Sequence, residues 1–248
     1  MKRYPKISVI IPVYNEESYV SDLIKSIKQQ TYKDYEILAA DSSTDNTPKI
    51  LKEFNITVIK IPKTNVSAAR NAGIKRAKGE ILALIDADYI LQKGLFESVV
   101  KYFDNPKNKQ IVCIEPRPKL SLKDLKKRDI IRFKLLNELI YLYKRISFFS
   151  WVPAAYGCDF CRADRVKKSG LFNEEIDVAE DKEFFSRLRR QGKFKMIKDH
   201  VRMSYRRHSK EGAIKTGLLY FFAAVSALFT KKFKFNFKSI RRKSKNKP

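Results

Sequence analysis

The chain is poor in cysteine, with only Cys113, Cys158 and Cys161 among 248 residues. So small and odd a number excludes a secreted disulfide framework and suits a reducing compartment. Cys158-Asp159-Phe160-Cys161 has the spacing of a redox or half-zinc motif. No second pair accompanies it, however, and His200 and His208 lie far downstream, so both thiols read as structural. Acidic residues are also scarce: 27 against 53 basic residues leave a net charge of +26, which implies an anionic partner or surface. No nucleic-acid-binding motif is present and the cations are scattered except at the C-terminal end, so nucleic-acid binding is an alternative resting on charge alone. Met1 to Lys6 is basic and runs straight into a strand pattern without the apolar region or cleavage site of a signal peptide, so the active region is expected to be cytoplasmic. There is no internal repeat. The most apolar run, Gly217 to Phe229, would extend only about 20 Å as a helix against a hydrocarbon core of about 30 Å, too short to cross.

What is present is core material and a repeating pattern. Hydrophobic residues make up 44% of the chain, enough for one large domain or two small ones. From Ile7 to Pro116, short β-rich runs alternate with helical patterns, which predicts an α/β domain with a largely parallel sheet. Strands are expected at Ile7 to Val13, Tyr35 to Ala40, Ile56 to Ile61, Glu80 to Ile85 and Ile111 to Glu115. Helices are expected at Glu16 to Gln30 with Asn15 as N-cap, Thr47 to Phe54 with Thr47 as cap, Ser67 to Lys78 with Gly79 as stop, and Leu91 to Phe103. The second half reads as a long helix from Ser121 to Phe149, helices at Val178 to Arg190 and Glu211 to Phe229, and two short strands within Lys193 to Tyr205. Lys231 to Pro248 carries nine Lys or Arg residues and no acid.

Asp86-Ala87-Asp88 leaves the core at the end of the apolar run Glu80 to Ile85. Carboxylate oxygens suit Mg²⁺ or Mn²⁺, and Mg²⁺ held by one or two carboxylates completes its shell with water and substrate phosphates. Ligands of open parallel sheets bind at the carboxyl ends of strands, where Pro12 to Asn15, Asp41 and Asp86 to Asp88 all fall. Asp41, an acceptor, suits a pyrimidine ring N–H. Arg70, in the first turns of its helix, would favour an anion, with a solvated helix arginine as the alternative. Asp181 should project from the first turn of a helix, where the dipole favours an ionised carboxylate; the bland reading is that Glu180, Asp181 and Glu183 only cap that turn.

Ser8-Val9-Ile10-Ile11-Pro12-Val13-Tyr14-Asn15-Glu16, Asp41-Ser42-Ser43-Thr44-Asp45-Asn46-Thr47, Ala69-Arg70-Asn71-Ala72-Gly73, Asp86-Ala87-Asp88 and Glu180-Asp181 occur in an order and at spacings that resemble the inverting family 2 glycosyltransferases of GT-A fold. The resemblance covers about residues 6 to 210. It implies a GT-A type nucleotide-binding sheet flanked by helices, a mixed acceptor-side half, and a C-terminal helical and basic extension. The corresponding divisions are 1–116 for the nucleotide-sugar half, 117–210 for the acceptor half and 211–248 for the extension.

The same resemblance implies metal-dependent transfer of a sugar from a nucleotide-diphosphate donor to a saccharide or polyprenyl-linked acceptor, with Mg²⁺ or Mn²⁺ as cofactor. Asp88 would be the direct metal ligand, Asp86 would bind ribose or help the metal, and His208 in Tyr205-Arg206-Arg207-His208 would be a third ligand, or else part of a basic surface loop. Donor or substrate contacts fall to Pro12, Tyr14, Glu16, Asp41, Arg70, Asp86, Glu180 and Arg207. Ala40 stands where the family usually has another Asp before Asp41. Asp181 matches the family's general base, with Glu180 in support. Asp45 reads as a turn or cap residue, Asn71 and Gly73 as packing residues, and Trp151 as a sugar platform or a core or membrane-interface aromatic.

A nucleotidyltransferase acting on sugar phosphates is the alternative enzyme, but its glycine-rich basic loop is missing between Val13 and Glu17. Apolar Gly217 to Phe229 beside the cationic tail supplies the two signals of peripheral attachment to an anionic membrane, expected at the inner face of the cell membrane; packing of that run against the catalytic domain is the other reading.

Overall fold

The computed structural model describes residues 5–120, 138, 157–176 and 180–203. Apart from residue 138, the helix expected over 121–149 lies outside the described residues, as do Trp151, Arg207, His208, the apolar run at 217–229 and the tail at 231–248. The elements are β1 (Ile7–Val13), α1 (Val20–Lys28), β2 (Tyr35–Asp41), α2 (Thr47–Glu53), β3 (Thr57–Lys60), α3 (Val66–Arg76), β4 (Ile81–Ile85), β5 (Tyr89–Leu91) and α4 (Leu95–Asp104). After a 3₁₀ turn at Pro106–Asn108 come β6 (Ile111–Leu120), β7 (Cys158–Arg162), α5 (Ala163–Ser169), α6 (Glu180–Arg189) and β8 (Lys193–Met203).

All eight strands join one sheet in the order β3-β2-β1-β4-β7-β6-β8-β5. The first four run parallel, as the β/α alternation predicts. The rest of the sheet is mixed: β7 is antiparallel to both β4 and β6, β6 is parallel to β8, and β5 is antiparallel to β8. The nucleotide-side and acceptor-side halves therefore share one sheet. Period-2 alternation sends Ile7, Val9, Ile11 and Val13 of β1 to the face covered by α1, α2 and α4, and Ile10 to the face covered by α3, α5 and α6. On the second face Phe184, Phe185 and Leu188 of α6 are buried, each contributing about 1.5–3 kcal/mol of hydrophobic stabilisation.

Several expected boundaries move because tertiary hydrogen bonds override local pattern. Helix α1 starts at Val20, not Glu16: a turn in which Glu16 O accepts from Tyr19 N and Val20 N precedes it, and the N–H groups of Asn15, Glu16 and Glu17 go to Ser43 Oγ, Thr47 Oγ1 and Asp45 Oδ2. Asn15 is thus no N-cap; it stands at φ 55° and bridges two loops. Thr47 is the first residue of α2, after its N-cap Asn46, and Asp45 Oδ1 accepts its N–H at 2.9 Å, so of the turn and cap readings Asp45 meets the turn. Gly79 is not the stop of α3, which ends at Arg76; its N–H donates to Ser8 Oγ at 2.8 Å, where the chain crosses close over β1. The helix expected from Leu91 begins at Leu95, since Tyr89 to Leu91 pairs with β8 and the Leu91 N–H goes to Ser26 Oγ.

Cys158 to Arg162 form strand β7, for which no strand was expected, and the two strands expected within Lys193 to Tyr205 are one. Cys158 and Cys161 fall on opposite faces of β7, so their spacing brings them to no common ligand; all three cysteines are buried free thiols. No helix among the described residues is long and apolar enough to cross a membrane.

Candidate active site

The ends of β1, β2 and β4 open at one edge of the sheet. Register places Val13 beside Asp41, and the loops that follow these two strands are joined by polar bonds. Asn15 Oδ1 accepts from Thr44 N at 2.9 Å, while Glu17 Oε2 accepts from both the backbone and side-chain nitrogens of Asn46. Asp41 is only 2% exposed, and its Oδ1 accepts the Ser43 N–H at 2.9 Å, which turns the chain at the strand end. Pro12 is half-buried in the strand. Tyr14 and Glu16 line the rim, half-buried, with Lys63 Nζ 5.6 Å above the Tyr14 ring.

Beyond β4, Asp86 turns inward. Its N–H donates to Gly157 O at 2.7 Å, and its Oδ1 accepts from Arg70 Nη2 at 3.0 Å. Gly157 has φ +74°, and a Cβ there would overlap Asp86 Oδ2, so this position admits only glycine without displacing the carboxylate. Asp88 follows in the same turn, half-buried.

Helix α3 joins this edge to the base side. Its small residues let it lie against β1, with Gly73 on Ile10, so Arg70 is drawn inside at 8% exposure. Arg70 Nη1 donates to Glu180 Oε1 at 3.0 Å, opposite the Nη2 contact with Asp86. Burial works against the charge of Arg70, but Asp86, Glu180 and Asp181 outweigh it and hold the guanidinium pKa above its ordinary value. Asp181, on the first turn of α6, is pushed up to about 6 by burial and by the neighbouring Glu180; Arg70 and the Lys182 N–H pull the other way. A carboxyl that titrates near neutrality suits proton abstraction.

The geometry thus brings Asp86, Arg70, Glu180 and Asp181 into one electrostatic cluster, with Asp88, Asp41, Tyr14, Pro12 and Glu16 along the strand ends. The family model for Glycosyl transferase family 2 matches residues 8–168. The chain belongs to this family.

Minor teichoic acid biosynthesis protein GgaA of Bacillus subtilis is 29% identical over 201 residues, 73% of this chain and 42% of GgaA, so the chain spans less than half the length of that relative. The crystal structure of S. aureus TarS 1–349 in complex with UDP-GlcNAc superimposes with a TM-score of 0.63 at 19% identity, covering 80% of this chain and 58% of TarS 1–349. Mannosyltransferase PcManGT from Pyrobaculum calidifontis, in complex with GDP-Man and Mn2+, gives 0.62 at 18% identity and covers 94% of this chain and 66% of its own. At these identities the structures share the GT-A fold with this family 2 chain.

The donor set of the family 2 chain fits a hard divalent cation. Asp86 and Asp88 supply two carboxylates at a strand end, enough for an ion that takes its other ligands from water and phosphate. A separate trio, Cys113, Glu115 and Asp159, has ligand atoms within 4.8 Å of one another but is buried inside the sheet layer. Burial and the Cys161 contact push the Cys113 thiol well above its ordinary range, and a neutral thiol is a poor ligand for Mg²⁺ or Mn²⁺.

Two contributions escaped the reading of the sequence. Asn71, taken as a packing residue, accepts the Phe172 N–H at 2.9 Å and donates to Phe172 O at 2.9 Å and to Glu174 Oε1 at 2.8 Å. Arg187 donates to Ser169 O, Leu171 O and both Glu183 oxygens, which ties the loop before α6 to that helix. Asn71 had no signal beyond a polar residue beside apolar ones, because its partners lie about a hundred positions away, and of the Arg187 contacts only the one to Glu183, four residues earlier on the same helix, has a spacing that shows in the sequence.

Proposed function

We propose that the chain is an inverting, metal-dependent glycosyltransferase that moves a hexosyl group from a nucleotide-diphosphate donor to a hydroxyl of a saccharide or lipid-linked acceptor. The observation that carries this reading is the convergence of the Asp86–Asp88 turn with Asp181, a carboxyl titrating near 6, across the single guanidinium of Arg70. Asp41 would accept a ring N–H of the base, Pro12, Tyr14 and Glu16 would wall the nucleoside, and Asp86 with Asp88 would hold Mg²⁺ or Mn²⁺. When bound, such an ion supplies Lewis-acid neutralisation of the departing nucleotide. Asp181 takes the acceptor proton as the hydroxyl attacks the anomeric carbon from the opposite face, with Glu180 beside it. Arg207 and His208, outside the described residues, would serve the diphosphate side by the family resemblance.

The nucleotide-sugars and Mn2+ named for TarS and PcManGT support the donor class and the ion. GgaA's part in minor teichoic acid biosynthesis supports a glycopolymer acceptor. The catalytic unit spans 1–210. The apolar run and nine-cation tail of 211–248 hold it on an anionic membrane at the cytoplasmic face. Sedimentation with anionic vesicles tests this: full-length protein pellets, a chain ending at Thr230 does so weakly, and equal partitioning would rule out the tail.

The catalytic reading is tested by Asp88→Asn, which keeps size but loses the charge the cation needs. Calorimetry with UDP, and separately GDP, in Mn²⁺ should show metal-dependent binding in the wild type and none in the variant. Undiminished metal-dependent affinity would overturn the assignment.

A further inference from the structure

Arg70 is on α3, Asp86 follows β4 and Glu180 opens α6, so one guanidinium ties its own helix to two other segments, 16 and 110 positions further along the chain. Both terminal nitrogens are 3.0 Å from carboxylate oxygens, and the side chain is 9% exposed. The plane of the group also lies over an aromatic ring, with Cζ 5.3 Å from the centroid of Phe172. Phe172 in turn stacks on Phe184 of α6 at 3.9 Å between centroids and 15° between planes. The neighbouring Asn71 clamps the backbone of Phe172 on both its N–H and its C=O. Arg70 is therefore seated from three sides, and its fork is filled by protein carboxylates. A diphosphate approaching it would meet Asp86 first.

We propose that Arg70 is a positioning residue that locks the first turn of α6 to the strand end that carries the donor, so that Asp181 is aligned with the anomeric carbon through the Asp86–Arg70–Glu180 bridge. This rests on the assignment of Asp181 as base and of Asp86 to the donor side. The bridge makes a geometric demand that only a planar fork meets: two carboxylates on different elements, each bound by its own nitrogen. A lysine ammonium carries the charge on a single nitrogen, so both carboxylates would have to move in to one point to keep the two contacts that separate nitrogens now make. A displacement of about 1 Å at the reacting atoms can cost on the order of 10²-fold in rate, so a rigid link of this kind acts on turnover and not on donor affinity.

The test uses Arg70→Met, Arg70→Lys and Glu180→Gln in the full chain, with UDP plus Mn²⁺ affinity by calorimetry and kcat and KM by donor turnover. The expected result for Arg70→Met is a dissociation constant within about threefold of wild type and a kcat lowered by at least about tenfold, with Arg70→Lys recovering part of the loss. Glu180→Gln, which takes the charge from one arm of the bridge while leaving Arg70 paired with Asp86, should lower kcat in the same direction even if Arg70→Met fails to fold. UDP affinity that falls in step with kcat/KM while kcat holds would make Arg70 a donor ligand and overturn the proposal. So would an unchanged kcat in Arg70→Lys and Glu180→Gln. Asp181→Asn, run alongside, separates the two assignments: full turnover in that variant refutes the base, whereas lost turnover there with normal turnover in Glu180→Gln refutes only the bridge.

Discussion

The rim around β1 and β2 and the junction between α3 and α6 are held in opposite ways. At the rim, Asn15, Ser43, Thr44 and Thr47 exchange neutral bonds with backbone amides, exposed or part-buried, and Asp45 adds a charged acceptor. At the junction, a buried guanidinium joins two carboxylates over a stack of phenylalanine rings. Exposed neutral bonds each contribute little net stability and yield readily, which suits a surface that must fit around a nucleoside. Buried charge-assisted bonds are costly to break singly, which suits a base that must hold its place.

The strongest way to break this contrast is at the base. Asp181→Asn should keep donor affinity and lower transfer by at least about 10²-fold, as measured by binding and initial rate together. In the wild type, the rate should fall about tenfold per pH unit as pH drops below about 6, because protonation of Asp181 removes the base. The stability effect has the opposite sense: the folded pKa exceeds the ordinary 3.8, so the folded state holds the extra proton between these values and loses stability as pH rises through that window. Asp181→Asn should flatten both dependences; a wild-type acid limb that persists unchanged in the residual activity would assign it elsewhere.

Smaller effects sharpen the comparison between the two regions. Asn71→Ala strands the Phe172 N–H and C=O in the interior and should cost about 2–4 kcal/mol by denaturant unfolding. Asn15→Gly at the rim, which keeps the φ of 55° accessible, should cost no more than about 1 kcal/mol, the lost bonds being exposed to water. Equal losses at the two sites would erase the distinction drawn between them.

The readable parts of the molecule were those whose partners are near in sequence or whose chemistry repeats along it. β4 is a continuous apolar run buried on both faces, β1 is one broken only by Ser8, and β2 becomes buried from Leu38, so the carboxylates at their ends follow from where such strands leave the core. β7 was hidden because Asp159 interrupts its apolar character and is nevertheless buried at 1% exposure. β5 is three residues long and depends on β8 for its existence. Arg70 pointed to an anion, and it meets anions, but they are Asp86 and Glu180, the latter 110 positions away. Spacing along the chain carries no information about such a partner, whereas the early start expected for α1 gave way to a nearer feature, the turn in which Glu16 O accepts from Tyr19 N and Val20 N.

The insertion of β7 between β4 and β6 bears on how the enzyme is made at the ribosome. Ile81 to Ile85 pair with Cys158 to Arg162, so the inner margin of β4 has its partner only after residue 162 has left the exit tunnel. Until then the parallel half carries an open hydrophobic strand margin, a template for unwanted pairing, and the long sequence separation makes its closure a slow step. The same strand begins beside Gly157, the residue that backs Asp86. Closing the sheet and seating that carboxylate are therefore one event in the birth of the chain, and a nascent polypeptide stalled before β7 would have neither.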